Sequence, residues 1–497
     1  MIHTDLNRRN FLKSFAGAIA AAGLSGCLSS NNPAKINCSK NGSVRPNFVI
    51  FLSDDHGYAD LSCLGTEGLS TPNLDALASS GQRMTNWYCN SPICAPSRAA
   101  LMSGRYPIYA GMNVNVKTAR HNTGLPLQTP TLAEALKKLN YQTSIFGKWH
   151  LGANEAYWPI SRGFDHWFGM KGGCVDFYSH ILYYEEPAGL PPIHDLYENG
   201  DEVWENGRYL TELITERAVG YFNDLAKKSP DKPFFSYIAY TDPHYPMHAP
   251  GKYVDMFSHL PPQRRIMAAK IKALDESVGT IMQTLKANGQ LENTVIFFMG
   301  DNGPSREIHC WLDETVTPYE GGKTGGFRGH KMSLFEGGLR VPAIISWPGQ
   351  IPEGIVCNET GSSIDIFPTF VKLAGGDLSE YELDGRDFMP TWIEGRKSPH
   401  QTLFWEFRGQ VAVREGHFKL VLNGVDVDGV SEDDKIHLAD LSSADLDNVN
   451  VKDKYPEQAR RLKNLAQSWY AEAKNYYDIN WEKINQDQRS FPPYYKK

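Results

Sequence analysis

One short stretch of the sequence combines a potential nucleophile with a positive charge. It reads Cys-Ala-Pro-Ser-Arg from Cys94 to Arg98 and continues through small and apolar residues to Gly104 and Arg105. Proline is well suited to a first helical turn, so Cys94 is predicted to lie at a helix amino end, where free N–H groups and the dipole favour an anion. Arg98 should lie one turn along the same face. A lone cysteine before a helix is commonly a buried thiol, but the whole pattern indicates chemistry on an anionic group.

Polar side chains follow four predicted strands, at the point where each strand ends. The strands are predicted over 47–52, 142–146, 234–240 and 294–299, and the side chains after them are Asp54 and Asp55, Lys148 and His150, His244, and Asp301 and Asn302. The carboxyl ends of parallel strands share one edge of an open α/β sheet, so these clusters should converge on one crevice. Each cluster alone consists of residue types that are common in turns, whereas their joint occurrence indicates a functional site.

Four of these side chains, Asp54, Asp55, Asp301 and Asn302, offer only oxygen atoms to a metal. Oxygen ligands are preferred by a hard divalent cation, Ca²⁺ or Mg²⁺, rather than by zinc. The eight cysteines show no paired Cys-x-x-Cys spacing, which leaves a zinc site unsupported. The residues therefore predict a site for calcium or magnesium.

The motif that begins at Cys94 resembles the signature of the type I sulfatases. It matches the Cys-x-Pro-Ser-Arg pattern of that family in full, together with the helix and the Gly-Arg pair that follow the pattern. The resemblance implies that a formylglycine-generating enzyme oxidises Cys94 to formylglycine. One hydroxyl of the hydrated aldehyde would attack sulfur, and the other would later expel sulfate, a covalent route that splits one hard hydrolysis into two easier steps. The resemblance also selects one calcium ion for the predicted metal site.

The resemblance assigns roles to further basic residues. Lys148 and His150, in the sequence Gly-Lys-Trp-His-Leu-Gly, match the second signature of the family and would contact a sulfate oxygen and a diol oxygen. His244, in Asp-Pro-His-Tyr-Pro, matches the position that protonates the leaving alcohol or steadies the sulfate, a role suited to imidazole. With calcium and the lysines, Arg98 would offset the charge of the substrate.

A second sulfate-binding lysine is harder to place. Lys331, five residues before Glu336, aligns with the lysine of the family, and Lys323 is the alternative because the glycines around it could shift the alignment. The stretch from Gly321 to Thr324 is not a nucleotide-binding loop, since Thr317 stands where that motif needs its first glycine and no predicted strand leads into it.

Several residues carry no assigned role. Some family members place a serine after the Lys-x-His segment, whereas this chain reads Met-Lys-Gly-Gly-Cys-Val-Asp over 170–176, so that contact is not assigned. Asp60 and Asp242 are left out because neither falls on a motif. Aromatic and histidine side chains that suit a sugar subsite or the core equally well are Trp158, Trp167, Tyr178, His180 and Trp311.

The alternation of strand-like and helical segments predicts an α/β fold with a large, mostly parallel sheet between helices, as in the alkaline phosphatase-like superfamily that the resemblance implies. Another strand is predicted over 341–346, and helices over 71–80, 131–139, 208–227 and 263–288. Beyond residue 376, strands over 402–407, 411–414 and 419–422 and a helix over 456–474 predict a small α+β domain with an antiparallel sheet. The predicted catalytic domain is 45–375 and the C-terminal one 376–497.

The amino terminus reads as an export signal. Arg8 and Arg9 form a twin-arginine pattern, and the small, apolar stretch that follows is too short to span a membrane. Residues before Cys27 resemble a lipobox, so 1–26 are predicted to be a signal, Cys27 to be lipidated and 27–44 to be a tether. The expected product is a periplasmic or cell-surface lipoprotein, held at the membrane only through its lipid. Six further cysteines are then either disulfide partners or small buried hydrophobes.

The formal net charge of -7 gives the chain no general attraction for nucleic acid or anionic lipid. An anionic substrate must therefore be held by local basic groups. The expected function is hydrolysis of sulfate esters on a carbohydrate. The alternatives are a phosphoester or phosphonate monoester hydrolase of the same superfamily, and a catalytically inactive binding protein in which Cys94 stays unmodified.

Overall fold

The computed structural model describes residues 45–115, 124–182, 192–306, 319–425 and 435–482. These residues belong to one compact unit. Within them, no helix has both the length and the apolar character needed to cross a bilayer. The predicted signal and tether, the lipidation site Cys27 and the aromatic residue Trp311 lie outside the described residues, and the boundary at 375/376 stays a prediction.

The described strands, in chain order, are β1 (Asn47–Ser53), β2 (Gln82–Met84), β3 (Trp87–Tyr88), β4 (Gln142–Lys148), β5 (His166–Met170), β6 (Ile181–Leu182), β7 (Ile193–His194), β8 (Tyr197–Glu198), β9 (Asp201–Glu202), β10 (Phe234–Ala239), β11 (Thr294–Gly300), β12 (Ala343–Ser346), β13 (Ile355–Cys357), β14 (Gly361–Ser362), β15 (Thr402–Phe407), β16 (Gln410–Glu415), β17 (Phe418–Leu422) and β18 (Ile436–Asp440). The described α-helices are α1 (Pro72–Ser79), α2 (Cys94–Ser103), α3 (Pro107–Ala110), α4 (Leu132–Lys138), α5 (Leu210–Lys228), α6 (Gly251–Met256), α7 (Pro262–Ala287), α8 (Glu336–Leu339), α9 (Ile366–Leu373), α10 (Met389–Glu394) and α11 (Pro456–Asn480).

Among the described residues, ten strands form one mixed sheet in the order β13-β2-β12-β11-β1-β10-β4-β5-β8-β9. The five strands from β11 to β5 in that order are mutually parallel, and β12 runs antiparallel to β11. The prediction of a large, mostly parallel sheet is confirmed. The carboxyl ends of β11, β1, β10 and β4 therefore lie side by side at one edge.

Burial on both faces fixes the position of the central strands. All seven residues of β1 are buried. Phe48, Ile50 and Leu52 pack on one face, in a cluster shared with α2, α4 and α9, and Val49 and Phe51 pack on the other, in a cluster shared with α1, α5 and α7. A strand covered on both faces reads as a continuous apolar run, which is the pattern of Asn47–Ser53.

Local sequence signals account for several element boundaries. Thr131 and Glu134 form a reciprocal capping box at the start of α4. The strand predicted over 341–346 begins only at Ala343, because Pro342 has no N–H to donate to a ladder. Strand β4 ends at Lys148, two residues later than predicted, because Lys148 pairs with Met170 of the neighbouring strand. The last helix runs six residues further than predicted, to Asn480.

The C-terminal region forms a four-stranded antiparallel sheet, β15-β16-β17-β18, with α11 packed against it. The predicted antiparallel meander is confirmed. Buried charges join this sheet to α8 and β3: the Glu336 carboxylate of α8 lies 2.8 Å from Lys419 Nζ of β17 and accepts from the Tyr88 hydroxyl of β3 at 2.6 Å. Burial alone would raise the pKa of Glu336, but Lys419, Arg340 and Arg414 lower it to about 2.

Replacing Glu336 with glutamine is expected to destabilise the protein by about 3 kcal/mol, because the folded pKa lies well below the unfolded value of 4.5 and buried cations lose their partner. A lowered folded pKa gives stability that is fully present above pH 4.5 and is lost as the pH falls through about 2. Urea unfolding from pH 7 to pH 3 should show a constant difference from wild type down to about pH 4.5 and a shrinking one below. The exposed Glu394→Gln, which breaks a surface pair with Arg396, should cost less than about 1 kcal/mol. A difference in the free energy of unfolding that stays the same at every pH would contradict the proposed effect of the lowered pKa of Glu336.

Candidate active site

Cys94 is the first residue of α2, at the end of the sheet where the parallel strands finish. Its Sγ lies 3.4 Å from Asp54 Oδ1. The potential ligand atoms of Asp54, Asp55, Cys94 and His244 all lie within 4.8 Å of one another, and all four residues are buried. The chain thus brings together, in one small volume, side chains that are up to 190 positions apart in sequence.

The four oxygen-bearing residues lie on two adjacent strand ends. Asp54 and Asp55 follow β1, and Asp301 and Asn302 follow β11. The Asp55 backbone N–H donates to Asp301 Oδ1 at 3.1 Å, and Asn302 Nδ2 donates to Asp55 Oδ1 at 2.7 Å. Parallel pairing of Ser53 with Gly300 sets this alignment, because it places the next residues of both strands opposite each other.

These residues fit a hard divalent cation. The three carboxylates of the site are buried, where a negative charge requires a cation beside it. Asn302 Oδ1 is buried and has no hydrogen-bond partner in the part of the chain that the structure describes. An oxygen in that state, beside three carboxylates, is what a calcium or magnesium ion would coordinate. Asp54, Asp55, Asp301 and Asn302 are therefore the residues that could hold the metal.

Three permanently basic side chains face the carboxylates. Lys148 Nζ lies 2.5 Å from Asp54 Oδ2, and Lys331 Nζ lies 2.9 Å from Asp55 Oδ2. The guanidinium of Arg98 lies 2.9 Å from Asp301 Oδ2. Three cations thus match three carboxylates, so a bound divalent cation would leave the pocket net positive and suited to an anion.

Two histidines complete the pocket. His244 Nδ1 lies 2.6 Å from the Tyr245 carbonyl oxygen, which can only accept, so this nitrogen carries a proton and Nε2 faces Lys331 Nζ at 3.2 Å. His150 has the left-handed backbone conformation, with φ of 58°. Its Nδ1 is buried and has no partner among the described residues. That nitrogen is available to a bound substrate or to the side chain at position 94.

The electrostatic environment shifts the ionisation of these groups. Burial alone would raise the pKa of Asp54, but Lys148, His244, Arg98 and Lys331 hold it well below its usual value. Burial and the neighbouring Asp54 raise the pKa of Asp301. Burial, Lys148 and Arg98 lower the pKa of His150, which keeps this imidazole neutral. Burial and Asp54 raise the pKa of the Cys94 thiol well above 9.0, the opposite of the shift that makes cysteine a thiolate nucleophile.

The geometry separates Lys331 from the alternative lysine. The side chain of Lys323 lines a different cavity, of about 550 Å³, while its backbone N–H donates to Asp60. Asp60 itself is paired with Arg264 at 2.6 Å, and Asp242 is paired with Lys270 at 3.0 Å. Neither of these two carboxylates joins the cluster around Cys94.

Comparison with known proteins assigns the fold and the site to a family. Residues 46–376 match the family model described as Sulfatase. The chain belongs to the sulfatase family. It is 34% identical to arylsulfatase J of Mus musculus over 406 residues, which cover 76% of this sulfatase and 64% of the relative. It is 34% identical to N-acetylgalactosamine-6-sulfatase of Mus musculus over 391 residues, which cover 75% and 71% of the two chains.

A solved structure shares the fold of the sulfatase along most of its length. The crystal structure of Ps i-CgsB in complex with k-i-k-neocarrahexaose has a TM-score of 0.77 and 29% sequence identity, and the match covers 91% of this chain and 100% of that one. The predicted membership of the sulfatases, within the alkaline phosphatase-like superfamily, is confirmed. The protein is an enzyme of the sulfatase class.

The sulfatase departs from the expected serine after the Lys-x-His segment, and the structure shows what stands there. A Cβ added to Gly173 would lie 2.8 Å from His150 Cε1, so the absence of a side chain leaves room for the imidazole ring. Next to it, Lys171 packs its Nζ 3.6 Å from the centre of the Tyr197 ring. Of the candidate sugar-contacting aromatics, Trp167 is fully buried and Trp158 packs against it, so both belong to the core of this region.

Gly173→Ala is expected to lower kcat on an aryl sulfate by about tenfold, because the added methyl group forces the His150 ring to move and positioning errors of about 1 Å are costly. Metal content and the thermal midpoint should stay close to wild type. Gly220→Ala, which meets nothing within 4 Å in α5, is the matched control and should leave kcat unchanged. An equal loss of kcat in both variants would contradict this role for Gly173.

Sequence reasoning missed three residues that support the site. The Ala95 N–H donates to Asn115 Oδ1 at 3.1 Å, and Ser97 Oγ donates to the Asp301 carbonyl at 2.5 Å. Lys270 in α7 is fully buried, and its ammonium contacts the carbonyl oxygens of Pro246 and His248, close to His244 in the same loop. Burial lowers the pKa of Lys270 to about 8, although Asp242 opposes the shift. Helical spacing could have indicated that Lys270 is buried, because it lies three residues after the buried Met267 and four residues before the buried Leu274.

Proposed function

We propose that this sulfatase removes sulfate from a sulfated carbohydrate, using formylglycine made from Cys94 and one calcium ion held by Asp54, Asp55, Asp301 and Asn302. The observation that carries the proposal is the cluster in which Cys94, two carboxylates and His244 place their reactive atoms within 4.8 Å. A nucleophile, a cation site and an acid-base group within one ester-sized volume are the parts that hydrolysis of an anionic ester requires.

The residues of the chain would divide the work as follows. Lys148 and Lys331, on either side of the cluster, each bind a sulfate oxygen through charge-assisted hydrogen bonds. Arg98 holds Asp301 and donates to the Lys148 carbonyl at 3.0 Å, so it fixes the metal-binding carboxylate and the lysine backbone together. When its Nε2 is protonated as well as its Nδ1, His244 delivers the Nε2 proton to the leaving alcohol and returns to the neutral ring, and His150 orients the side chain at position 94.

Two groups supplied after synthesis would complete the site. Formylglycine at position 94 supplies the nucleophile, and a formylglycine-generating enzyme is the partner that makes it. The raised pKa of Cys94 supports this conversion, because the unmodified thiol is a poor nucleophile at neutral pH. Calcium, when bound, supplies Lewis-acid stabilisation of developing negative charge. The all-oxygen donor set supports calcium over zinc.

The relatives support a carbohydrate substrate. One acts, by its name, on N-acetylgalactosamine 6-sulfate groups, and the solved neighbour was crystallised with a carrahexaose oligosaccharide. Both are at 29% identity or more over most of this chain, so a sulfated sugar is the substrate class that fits best. The formal net charge of -7 leaves the basic pocket as the place where such an anion binds.

A substrate panel tests the proposal. The enzyme is produced together with a formylglycine-generating enzyme, and sulfate release is measured from 4-nitrophenyl sulfate, a carrageenan hexasaccharide and a chondroitin 6-sulfate hexasaccharide. Release from at least one of these sugars is expected, with a higher kcat/KM than for 4-nitrophenyl phosphate. Faster turnover of the phosphate would favour a phosphoester hydrolase. No turnover, together with an unmodified Cys94 in protein from its native host, would favour an inactive binding protein.

We also propose that the protein is exported through the twin-arginine machinery and anchored by a lipid on Cys27. The support is the sequence of the amino terminus, with Arg8, Arg9 and the lipobox-like residues before Cys27. Mass spectrometry of the mature amino-terminal peptide from native membranes tests it. A lipidated Cys27 is expected, and an intact Met1 in the active protein would contradict it.

A further inference from the structure

A cavity of about 190 Å³ lies between the loop after α3 and the C-terminal region. Asn113 contributes from the loop after α3, Glu406 from β15, and Tyr470, Lys474 and Asp478 from α11. Sugars are held in concave sites by a few polar groups that fix hydroxyls and by aromatic side chains that offer apolar surface. This cavity has both kinds of group on its wall.

The cavity is tied to the nucleophile through a short piece of backbone. Asn115 accepts the Ala95 N–H beside Cys94, and Asn113 is only two residues away. Two residues span at most about 7 Å, so the backbone of Asn113 lies within about 7 Å of the backbone of Asn115, whose side chain contacts the residue after Cys94. Val114, between the two asparagines, is 41% exposed, which shows that the loop reaches the surface at this point.

The Glu406 carboxyl is the polar centre of the cavity. Asn113 Nδ2 donates to its Oε1 at 3.1 Å, while burial raises the pKa of Glu406 to about 7. A carboxyl group near half-ionisation offers both an acceptor and a donor, as paired sugar hydroxyls require. The other charged side chains on the wall are Lys474, Asp478 and Glu482, and Lys474 is already paired with Asp478 at 2.6 Å. Acidic groups outnumber basic ones, so the cavity disfavours a second sulfate.

We propose that this cavity is a subsite for an unsulfated sugar unit of the substrate, with Glu406 and Asn113 binding its hydroxyls and Tyr470 packing on its ring. The inference rests on the proposed carbohydrate sulfatase function. It adds a location for the part of the glycan that does not carry the reacting sulfate. It makes Glu406 a specificity-determining residue that acts on oligosaccharides and not on small sulfate esters.

The test compares a small and a large substrate. In Glu406→Ala, kcat/KM for the carrageenan or chondroitin 6-sulfate hexasaccharide is expected to fall about tenfold, the effect of about one or two lost hydrogen bonds. The kcat/KM for 4-nitrophenyl sulfate should stay within about twofold, because this ester is too small to reach the cavity. Glu406→Gln, which keeps an acceptor and a donor, should retain more of the activity on the hexasaccharide than the alanine variant. Equal loss on both substrates, or no loss on either, would overturn the subsite.

A measurement of glycan binding without turnover tests the subsite separately from the proposed sulfate hydrolysis. Calorimetry measures the affinity of the full-length protein for both hexasaccharides after complete desulfation, which requires no turnover. Wild type is expected to bind at least one of them and Glu406→Ala to bind it about tenfold more weakly. Lys474→Ala, at the exposed rim of the cavity, keeps the fold and should weaken binding about threefold. Glu415→Ala, which removes a surface partner of Arg461 on the same sheet, is the matched control and should bind as wild type does. Failure of wild type to bind either desulfated sugar would overturn the subsite even if sulfate hydrolysis is intact.

Discussion

Replacing Cys94 with alanine is expected to reduce kcat for aryl sulfate hydrolysis by about 10⁴-fold or more while leaving the thermal midpoint within a few degrees of wild type. The side chain at position 94 faces Asp54 in the centre of the cluster, so its loss removes the group that becomes the nucleophile. Alanine favours a helix, and position 94 is the first residue of α2, so the fold should tolerate the change. The measurement is release of 4-nitrophenol, with thermal unfolding followed by circular dichroism.

A neighbouring cysteine provides the control for this variant. Cys89 is also buried, but its Sγ faces the backbone carbonyls of Ser91 and Leu339 rather than the carboxylates. Cys89→Ala should keep its activity. Mass spectrometry adds an independent readout, because formylglycine is lighter than cysteine and should appear only at position 94. Full activity in Cys94→Ala, or in protein whose Cys94 is entirely unmodified, would refute the assignment of the nucleophile.

Replacing Asp301 with alanine is expected to remove the bound divalent metal and about 10³-fold of the activity together. Asp301 is one of three buried carboxylates of the site, and its loss also leaves Arg98, at 2.9 Å, without its nearest partner. Asn302→Ala is the milder variant, because it removes a neutral oxygen and no charge. It should weaken metal binding about 10- to 100-fold and leave the protein folded. Metal content by mass spectrometry after dialysis, and the gain in thermal midpoint on adding calcium, measure both effects.

The metal prediction has its own control and its own contrary outcome. Asp384→Asn changes a carboxylate that accepts the Tyr106 N–H, outside the cluster, and should alter neither metal content nor the gain in thermal midpoint. If Asp301→Ala and Asn302→Ala both retain one equivalent of metal, the proposed ligands are not the ligands. If adding magnesium, but not calcium, raises the midpoint and the activity of wild type, the identity of the ion is wrong.

The two largest predictions rest on Cys94, at the start of α2, and Asp301, after β11, which the fold places at one edge of the sheet. The same arrangement explains why the smaller effects are expected to be separable. Gly173 acts on the position of His150, Glu336 on the contact between α8 and the C-terminal sheet, and Glu406 on the proposed sugar subsite. These residues lie outside the cluster around Cys94. Each variant is therefore expected to change one measured property and to leave the properties measured for the other variants unchanged.

The sequence by itself determined the class of fold and predicted which residues lie together around Cys94. Apolar runs such as 47–52 end in polar clusters, and this pattern depends only on local order along the chain, so it is readable without a structure. The Cys-x-Pro-Ser-Arg motif is also readable without a structure, because its residues lie within about one helical turn of one another. Element boundaries were less accurate where they depend on partners: β4 includes Lys148 only because β5 pairs with it, and no local signal reports that pairing.

Only the tertiary structure decided which of several equivalent residues enters the site. The sequence favours Lys331 and leaves Lys323 as an alternative, and of the two it is Lys331 whose Nζ lies 2.9 Å from Asp55 Oδ2. Lys270 and Glu406 resemble ordinary charged residues until packing buries one beneath the loop of His244 and places the other beside the loop after α3. The physical reason is that burial, charge pairing and cavity shape are set by residues distant in sequence, whereas helix starts and strand ends are set by neighbours.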